Sequence, residues 1–477
     1  MSSHIQGLGR SQVTLFPEVL DDFISEDNPI RVIDAFVDHL DLHSLGFQRV
    51  KAKSTGRPGY HPATLLKLYI YGYLNRIQSS RRLEKEANRN VELMWLLERL
   101  TPDFKTIADF RKDNGKGIKN ACRSFIDLCR KMNMFSEAVV AIDGSKFKAV
   151  NSKENNFTPQ KLKFHIDRFE KHIEAYLTKL DQADEADPNS EGKTTIAQKI
   201  TWMKQRLAEL KSMEEKVQNH PDKQVSTIDP DSRLLKTKGM TRAVCYNVQS
   251  AVDTKHHLII AHEVTNTNDR GQFTRVAELA QSALDRKDIT VIADKGYYSR
   301  QDIKNAQDTG VTAFVPKGDT SGSEKNNIFN KSLFRYEHDK DTYICPAGNE
   351  LQYRFESIEK GLPLKVYFNI AACKSCPIRS RCTRAKRDPR KMRRWVHEEE
   401  MEAMQQRLNA VPDTMLIRKQ TVEHPFGTIK AWMGSTHFLT RRFKNVSTEM
   451  SLHVLAYNLK RVINVLGVKA LTGAIQA

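Results

Sequence analysis

The sequence predicts an α/β core built on a mixed five-stranded sheet, preceded by an all-α region. Three observations lead there. Apolar residues recur at three- and four-residue spacing through most of residues 1–135. From residue 136, short β-branched runs take over, three in succession and then two alternating with helical stretches, which is the order of a mixed sheet. Two long interruptions of different texture break this second part.

The helical periodicity predicts segments at Pro29–Leu42, Pro62–Arg76, Arg81–Glu98 and Lys116–Met132. Breaks fall at TGRPGYHP, at Ile77–Ser80 and at Thr101–Lys105, where Asp103 or Thr106 would cap the segment TIADFRKD. Strands are expected at 138–150, 243–252, 257–264, 289–293 and 311–316, with helices at 271–286 and near 299–307. Residues 446–466 read as an amphipathic closing helix used for core packing.

The resulting organisation is a helical region over 1–135, a core in pieces at 136–157 and 225–317, and a last core piece at 411–477. The first interruption, 158–224, carries two apolar stripes either side of the polar linker DQADEADPNSEGKT, and reads as an antiparallel helical hairpin. The second, 318–410, holds Cys345, Cys373, Cys376 and Cys382, candidate thiolate ligands for a structural zinc. Beside them, Arg379 to Arg394 contains nine Lys or Arg in sixteen residues, either a solvated face or a phosphate-contacting one.

Charge and cysteine usage narrow the setting. With 76 Lys and Arg against 58 Asp and Glu, the net charge of +18 favours a polyanionic partner. No run approaches the ~20 apolar residues that span a bilayer. MSSHIQGLGRSQ has no apolar stretch, so no signal peptide is expected. Seven cysteines, three of them isolated at 122, 129 and 245, suit a reducing cytoplasm.

Two aspartates each end a short apolar strand: Asp143 in VVAIDGSKFKAV and Asp294 in TVIADKGYYS. A glutamate, Glu423 in TVEHPFGTIK, lies seven positions before Lys430 on a helical segment. Carboxylates this far apart in sequence meet only through a fold. Together they are hard oxygen ligands for Mg²⁺ or Mn²⁺, and a pair of such ions drives in-line phosphoryl transfer on nucleic acid. Lys430 would stand on the same helix face as Glu423. Pro425 implies that this helix begins near His424 or is kinked there. Among other acids, Asp269 reads most simply as a helix N-cap, with a role near the site as the alternative. Asp229 and Asp231 read as a turn.

For DNA, Arg76, Arg81 and Arg82 join two predicted helices in the manner of a helix-turn-helix, with Arg111 extending that surface. Arg441 and Arg442 form a further basic group.

These motifs resemble a family. AIDGSKFKAVN, ADKGYYS and VEHPFGTIK are similar to the three acidic segments of bacterial insertion-sequence transposases of the DDE type, whose catalytic domain is RNase H-like (retroviral-integrase-like). GRPGYHPATLLKLYIYGYLNRIQSSRRLE and LTPDFKTIADFRKDN resemble the helical domain that precedes it. The resemblance implies Asp143, Asp294 and Glu423 as catalytic metal ligands, with Lys430 as the associated lysine. It implies binding to terminal inverted repeats and target DNA, strand cleavage and transfer, a homo-oligomer on paired ends, and a bacterial, nucleoid-associated setting. Members often carry a tyrosine and an arginine ahead of the glutamate. Here Lys419 stands four before Glu423, Arg418 is adjacent, and Leu416 takes the tyrosine's spacing, so either Arg418 or Lys419 is the phosphate contact. An RNase H-like nuclease and a non-catalytic DNA-binding derivative are the alternative readings.

Overall fold

The computed structural model describes residues 19–52, 58–186, 191–237, 241–318, 327–385 and 387–477. The MSSHIQGLGRSQ stretch read for a signal peptide lies outside them, as do parts of TGRPGYHP and of the linker in 181–194.

The helical region comprises α1 (Ile30–His39), α2 (Pro62–Leu74), α3 (Ser80–Ala87), α4 (Val91–Leu96), α5 (Phe104–Asp113) and α6 (Gly115–Lys131). Local chemistry sets the ends. Pro62 occupies the first turn of α2, where a missing N–H costs nothing. Asp103 caps α5 by accepting from the Lys105 and Thr106 amides. The single helix expected over Arg81–Glu98 is two, because the Asn90 side chain accepts from the Glu92 and Leu93 amides and starts a new helix there.

The central sheet is six-stranded among the described residues, not five. Its strands are β1 (Val139–Lys148), β4 (Arg233–Lys236), β5 (Arg242–Asp253), β6 (Ile259–Thr265), β7 (Ile289–Ile292) and β8 (Val311–Phe314). The order is β4-β5-β1-β7-β8, with β6 also on β5. The β1–β5, β5–β6 and β4–β5 pairs are antiparallel, whereas β1–β7 and β7–β8 are parallel. The added strand, β4, is four residues long and pairs with the start of β5, so its sequence, RLLK, carries little alternation. Helices α9 (Phe273–Leu284) and α10 (Arg300–Asp308) connect the strands that follow β6.

The closing helix, α14 (Phe443–Leu466), departs from an amphipathic reading. It is buried on nearly every face from Val446 to Leu459, because it packs on α2, α5 and α6 on one side and on β6 on the other. Asn458 clips it to β6, accepting from the Ile259 amide and donating to the Ile259 carbonyl, each at 2.9 Å. Its N-terminus is capped from far away. The Asp229 carboxylate accepts from the Arg442 amide at 3.0 Å, and Asp231 from the Phe443 amide at 2.9 Å. These two aspartates do lie in the expected turn, closed by the Ser232 amide on the Asp229 carbonyl at 3.0 Å, and their side chains serve in addition as long-range caps. The last helix, α15 (Val468–Gln476), returns to pack on α1. One continuous apolar core thus runs from Ile24 to Ile475 through both the helices and the sheet.

Helices α7 (Pro159–Ala186) and α8 (Glu191–Asn219) lie along each other, tied by a Lys211–Glu170 ion pair at 2.9 Å. The short strands β2 (Asn156–Phe157) and β3 (Val225–Ser226) pair at the base of this arm. Residues 335–395 form a second antiparallel sheet that the sequence did not reveal: β9 (Arg335–Glu337), β10 (Thr342–Ile344), β11 (Glu350–Glu359), β12 (Leu362–Phe368) and β13 (Met392–Trp395). The short helix α11 (Ile370–Lys374) follows β12, and α12 (Glu398–Ala410) leads back to the central sheet, where it packs against β8. No helix among the described residues is long and apolar enough to cross a membrane.

Candidate active site

β1 and β7 run parallel, with Ala141 opposite Ile292. The same register continued by two residues brings Asp143 level with Asp294. Asp294 lies just past the end of β7, but Asp143 does not end its strand as expected: β1 runs on to Lys148 because its pairing with β5 continues beyond the aspartate. Asp294 also starts a turn. Its side chain accepts from the Gly296 amide at 2.8 Å, which aims the carboxylate.

The helix carrying the glutamate, α13 (Thr414–Gly427), lies across this face and packs on β1, β5 and β7. It does not begin at His424. Pro425 sits inside it and offers no N–H to the Thr421 carbonyl, and the helix widens directly afterwards into a π-turn over Thr428–Trp432. Lys430 projects from that π-turn. Its ammonium donates to Ser145 Oγ at 2.7 Å and to the Lys146 carbonyl at 2.9 Å, above the Phe147 ring.

Arg418, five residues before Glu423 on α13, joins the aspartates. Its Nη2 donates to Asp143 Oδ1 at 2.6 Å and lies 3.9 Å from Asp294 Oδ2. Burial pushes the Asp143 carboxyl up to about 6. Arg418 opposes the shift, while Asp294 and Asp269 add to it. Glu423 is exposed on the same helix. The fold therefore gathers Asp143, Asp294 and Arg418 and places Lys430 two residues along β1. Among the described residues, no three His, Cys, Asp or Glu side chains stand as a ready-made metal cage. The carboxylate pair is nonetheless a hard-oxygen site already holding a cation, so its donor chemistry fits a divalent ion.

Asp269 is not an N-cap. The α9 amides of Phe273 and Thr274 are taken by Asp302 of α10, at 2.9 and 3.2 Å. Asp269 instead lies behind Gly144, held by Lys146 at 3.0 Å, Asn247 at 2.8 Å and Gln249 at 3.0 Å. A Cβ on Gly144 would sit 2.0 Å from its Oδ1, so a side chain between Asp143 and Ser145 would have to push the Asp269 carboxylate aside. Gln249 in turn accepts from the Tyr297 hydroxyl, in the turn that Asp294 begins. This brace on the back of β1 links the strand of one aspartate to the turn of the other. Sequence reading missed it because its members come from four separated segments.

The basic residues divide. Arg76 and Lys460 both face the Trp432 ring, and Gln78 donates to the Met433 carbonyl at 2.9 Å, so the α2–α3 turn lies beside the π-turn that holds Lys430. Arg81, Arg82, Lys419, Arg441 and Arg442 are exposed. Arg111, expected on the same surface as Arg81, is turned inward, donating to the Tyr73 hydroxyl at 3.3 Å and lying over the Tyr69 ring.

The four cysteines of the second sheet, Cys345, Cys373, Cys376 and Cys382, all line one small cavity of about 20 Å³ with Leu351 and Phe334. Burial and the neighbouring thiols push the Cys382 thiol up. Arg390 lines the same cavity with its Nε buried and unpaired.

Comparison with known proteins adds two family matches. Residues 18–113 match a transposase domain (DUF772), and residues 344–463 match a transposase DDE domain. None of the curated proteins matches the chain. Among solved structures, the cryo-EM structure of the piggyBac transposase synaptic complex with hairpin DNA is similar at 8% identity and a TM-score of 0.33, over 94% of this chain and 79% of that one. A likeness that loose carries no argument. The two family matches, one over the N-terminal helices and one over the segment that holds Arg418, Glu423 and Lys430, identify the chain as a transposase of the DDE type.

Proposed function

We propose that this transposase binds the terminal inverted repeats of an insertion sequence and performs metal-dependent strand cleavage and strand transfer at Asp143, Asp294 and Glu423. One observation carries the reading: two aspartates level with each other on adjacent parallel strands, one within β1 and one just past β7, are bridged by Arg418 of the helix that bears the glutamate. The order β6-β5-β1-β7-β8, antiparallel then parallel, supports an RNase H-like core.

Asp143 and Asp294 would hold Mg²⁺ or Mn²⁺, with Glu423 completing the set from α13. The bound ions supply an activated nucleophile and a sink for leaving-group charge. The protein contributes placement. The Asp269 brace fixes β1 beside Asp143 and the turn after β7, and Lys430 fixes the helix, so little reorganisation accompanies reaction. Arg76, Arg81 and Arg82, beside the π-turn, would carry the duplex backbone, with Lys419, Arg441 and Arg442 as further phosphate contacts. Arg111 acts from within, holding Tyr69 and Tyr73. A homo-oligomer on paired ends and a cytoplasmic, nucleoid-bound setting follow from the same reading.

The test is cleavage of a labelled duplex carrying the DNA ends that flank the coding sequence. Cutting at the ends that requires Mg²⁺ or Mn²⁺, stops with a chelator, and is lost in Asp143→Asn, Asp294→Asn and Glu423→Gln supports the reading. Cutting without end preference would replace it with a nuclease.

The second sheet is proposed to hold a structural zinc. Its own core has only six buried apolar residues, Phe334, Tyr343, Leu351, Tyr367, Cys382 and Met392, and small cores of this kind are commonly stapled. Four thiolates around one cavity suit a tetrahedral ion, and the free Arg390 N–H would offset their charge. One zinc per chain in the purified protein, and a thiolate charge-transfer band on Co²⁺ substitution that Cys376→Ser removes, are the expected results. A metal-free protein with four reactive thiols would rule it out.

A further inference from the structure

Arg418 stands where a metal ion would be needed. One guanidinium faces two carboxylates, close to Asp143 and looser on Asp294. Two negative charges against one positive leave the pair under-neutralised, so a divalent ion would compete for the same oxygens. The arginine is also under-used. Its Nε is buried without an acceptor, although the guanidinium fork is built for two parallel bonds to a carboxylate or a phosphate. The side chain is not sealed, at 13% exposed, and the adjoining Lys419 lies in the open.

The geometry points to a latch: Arg418 holds Asp143 and Asp294 in place of the divalent cation, and a DNA phosphate draws it away, so that duplex binding and metal loading reinforce each other. This rests on the reading of the two aspartates as cation ligands. Without DNA, an incoming ion must evict the guanidinium and leave it without an anion. With DNA beside the two aspartates, the fork exchanges a carboxylate for a phosphate and the eviction costs little. Linkage makes the effect mutual, because whatever factor the duplex adds to ion affinity the ion adds to duplex affinity. The consequence is a protein whose metal site fills mainly on DNA, which restrains cutting in solution.

The experiment measures Mn²⁺ binding to the full chain, following the free-ion paramagnetic resonance signal, with and without a short duplex. Wild type is expected to bind Mn²⁺ about tenfold more tightly with the duplex, within the usual range of such couplings. Arg418→Gln should bind Mn²⁺ about tenfold more tightly without DNA and respond less than about twofold to the duplex. Arg418→Lys, which keeps the charge but not the fork, should fall between them and serves if Arg418→Gln does not fold. Unchanged Mn²⁺ affinity in both variants, with the duplex effect intact, overturns the latch and leaves the cation site standing. Undiminished Mn²⁺ binding in Asp143→Asn and Asp294→Asn overturns the cation site itself.

Discussion

Lys430 reaches across from the π-turn to Ser145 Oγ, 2.7 Å away, and so fastens the glutamate's helix to β1 two residues beyond Asp143. A lysine in this position is a strut before it is a phosphate ligand. Lys430→Met should therefore lower strand cleavage and also cost about 1–3 kcal/mol, the range for a hydrogen bond to a charged group and its orphaned acceptors. Ser145→Ala removes one acceptor and should cost about 1 kcal/mol with a smaller loss of cleavage. Urea unfolding together with single-turnover cleavage separates the two effects. A Lys430→Met protein as stable as wild type would show that the strut bears no load.

Gly144 leaves no room for a side chain beside Asp269. Gly144→Ala should destabilise by about 1–3 kcal/mol, as overpacking usually does, and should depress cleavage by shifting Asp143. Adding Asp269→Ala opens the space, so the double variant should be more stable than the sum of the two single losses predicts. Strict additivity in a double-mutant cycle would mean that the two residues do not press on each other.

Asp229 is fully buried, accepts from the Tyr246 hydroxyl at 2.9 Å, and caps α14 through the Arg442 amide. Asp229→Ala leaves both donors without a partner and should cost about 3 kcal/mol. Asp231→Ala, which loses one cap bond, should cost about 1 kcal/mol. Chemical denaturation ranks them, and the reverse order would contradict the cap geometry.

Acid should weaken the fold through two buried histidines. Burial lowers His453 from 6.5 to about 3 and His262 to about 4. Unfolded, both take up a proton near 6.5; folded, they resist. Their stability is complete above about pH 6.5 and is lost as pH falls toward 4, at roughly 1.4 kcal/mol per pH unit for each. Asp143, raised by burial to about 6, shifts the other way, binding its proton more readily when folded, and offsets one of them below that pH. His453→Gln should flatten the fall in melting temperature between pH 6.5 and 5. An unchanged slope would show that His453 is not the group resisting protonation.

What the sequence revealed was local or periodic. The strands that carry Asp143 and lead to Asp294 could be read because of their β-branched runs, although β1 continues five residues past its aspartate, held by β5, and Asp103 could be read as a cap because it lies beside its helix. Asp229 and Asp231 could not, since their partners, Arg442 and Phe443, lie more than two hundred residues further along the chain. Asp269 reads most simply as a cap of the nearest helix, but Asp302 reaches that end from another helix and Asp269 stands near the site, its alternative reading. The second sheet stayed hidden because strands such as β11 are largely solvent-facing and lack a regular buried alternation. Arg111 read as a surface cation because a sequence does not show which face of a helix meets two tyrosines. The bond from Arg418 to Asp143, across 275 residues, is of the same kind.

α14 is wedged between the N-terminal helices and β6, and its buried side chains belong to both. A helix shared in this way welds the face bearing Arg76, Arg81 and Arg82 to the sheet that carries Asp143 and Asp294. Neither can turn against the other without tearing apolar surface from a common interior. The α7–α8 arm has two small cores of its own, whereas the second sheet has one of its own and is also tied to the common interior through Leu364 and Trp395. Any swing of the machine around its substrate is therefore easiest at the α7–α8 arm, and the anvil it hangs from stays rigid.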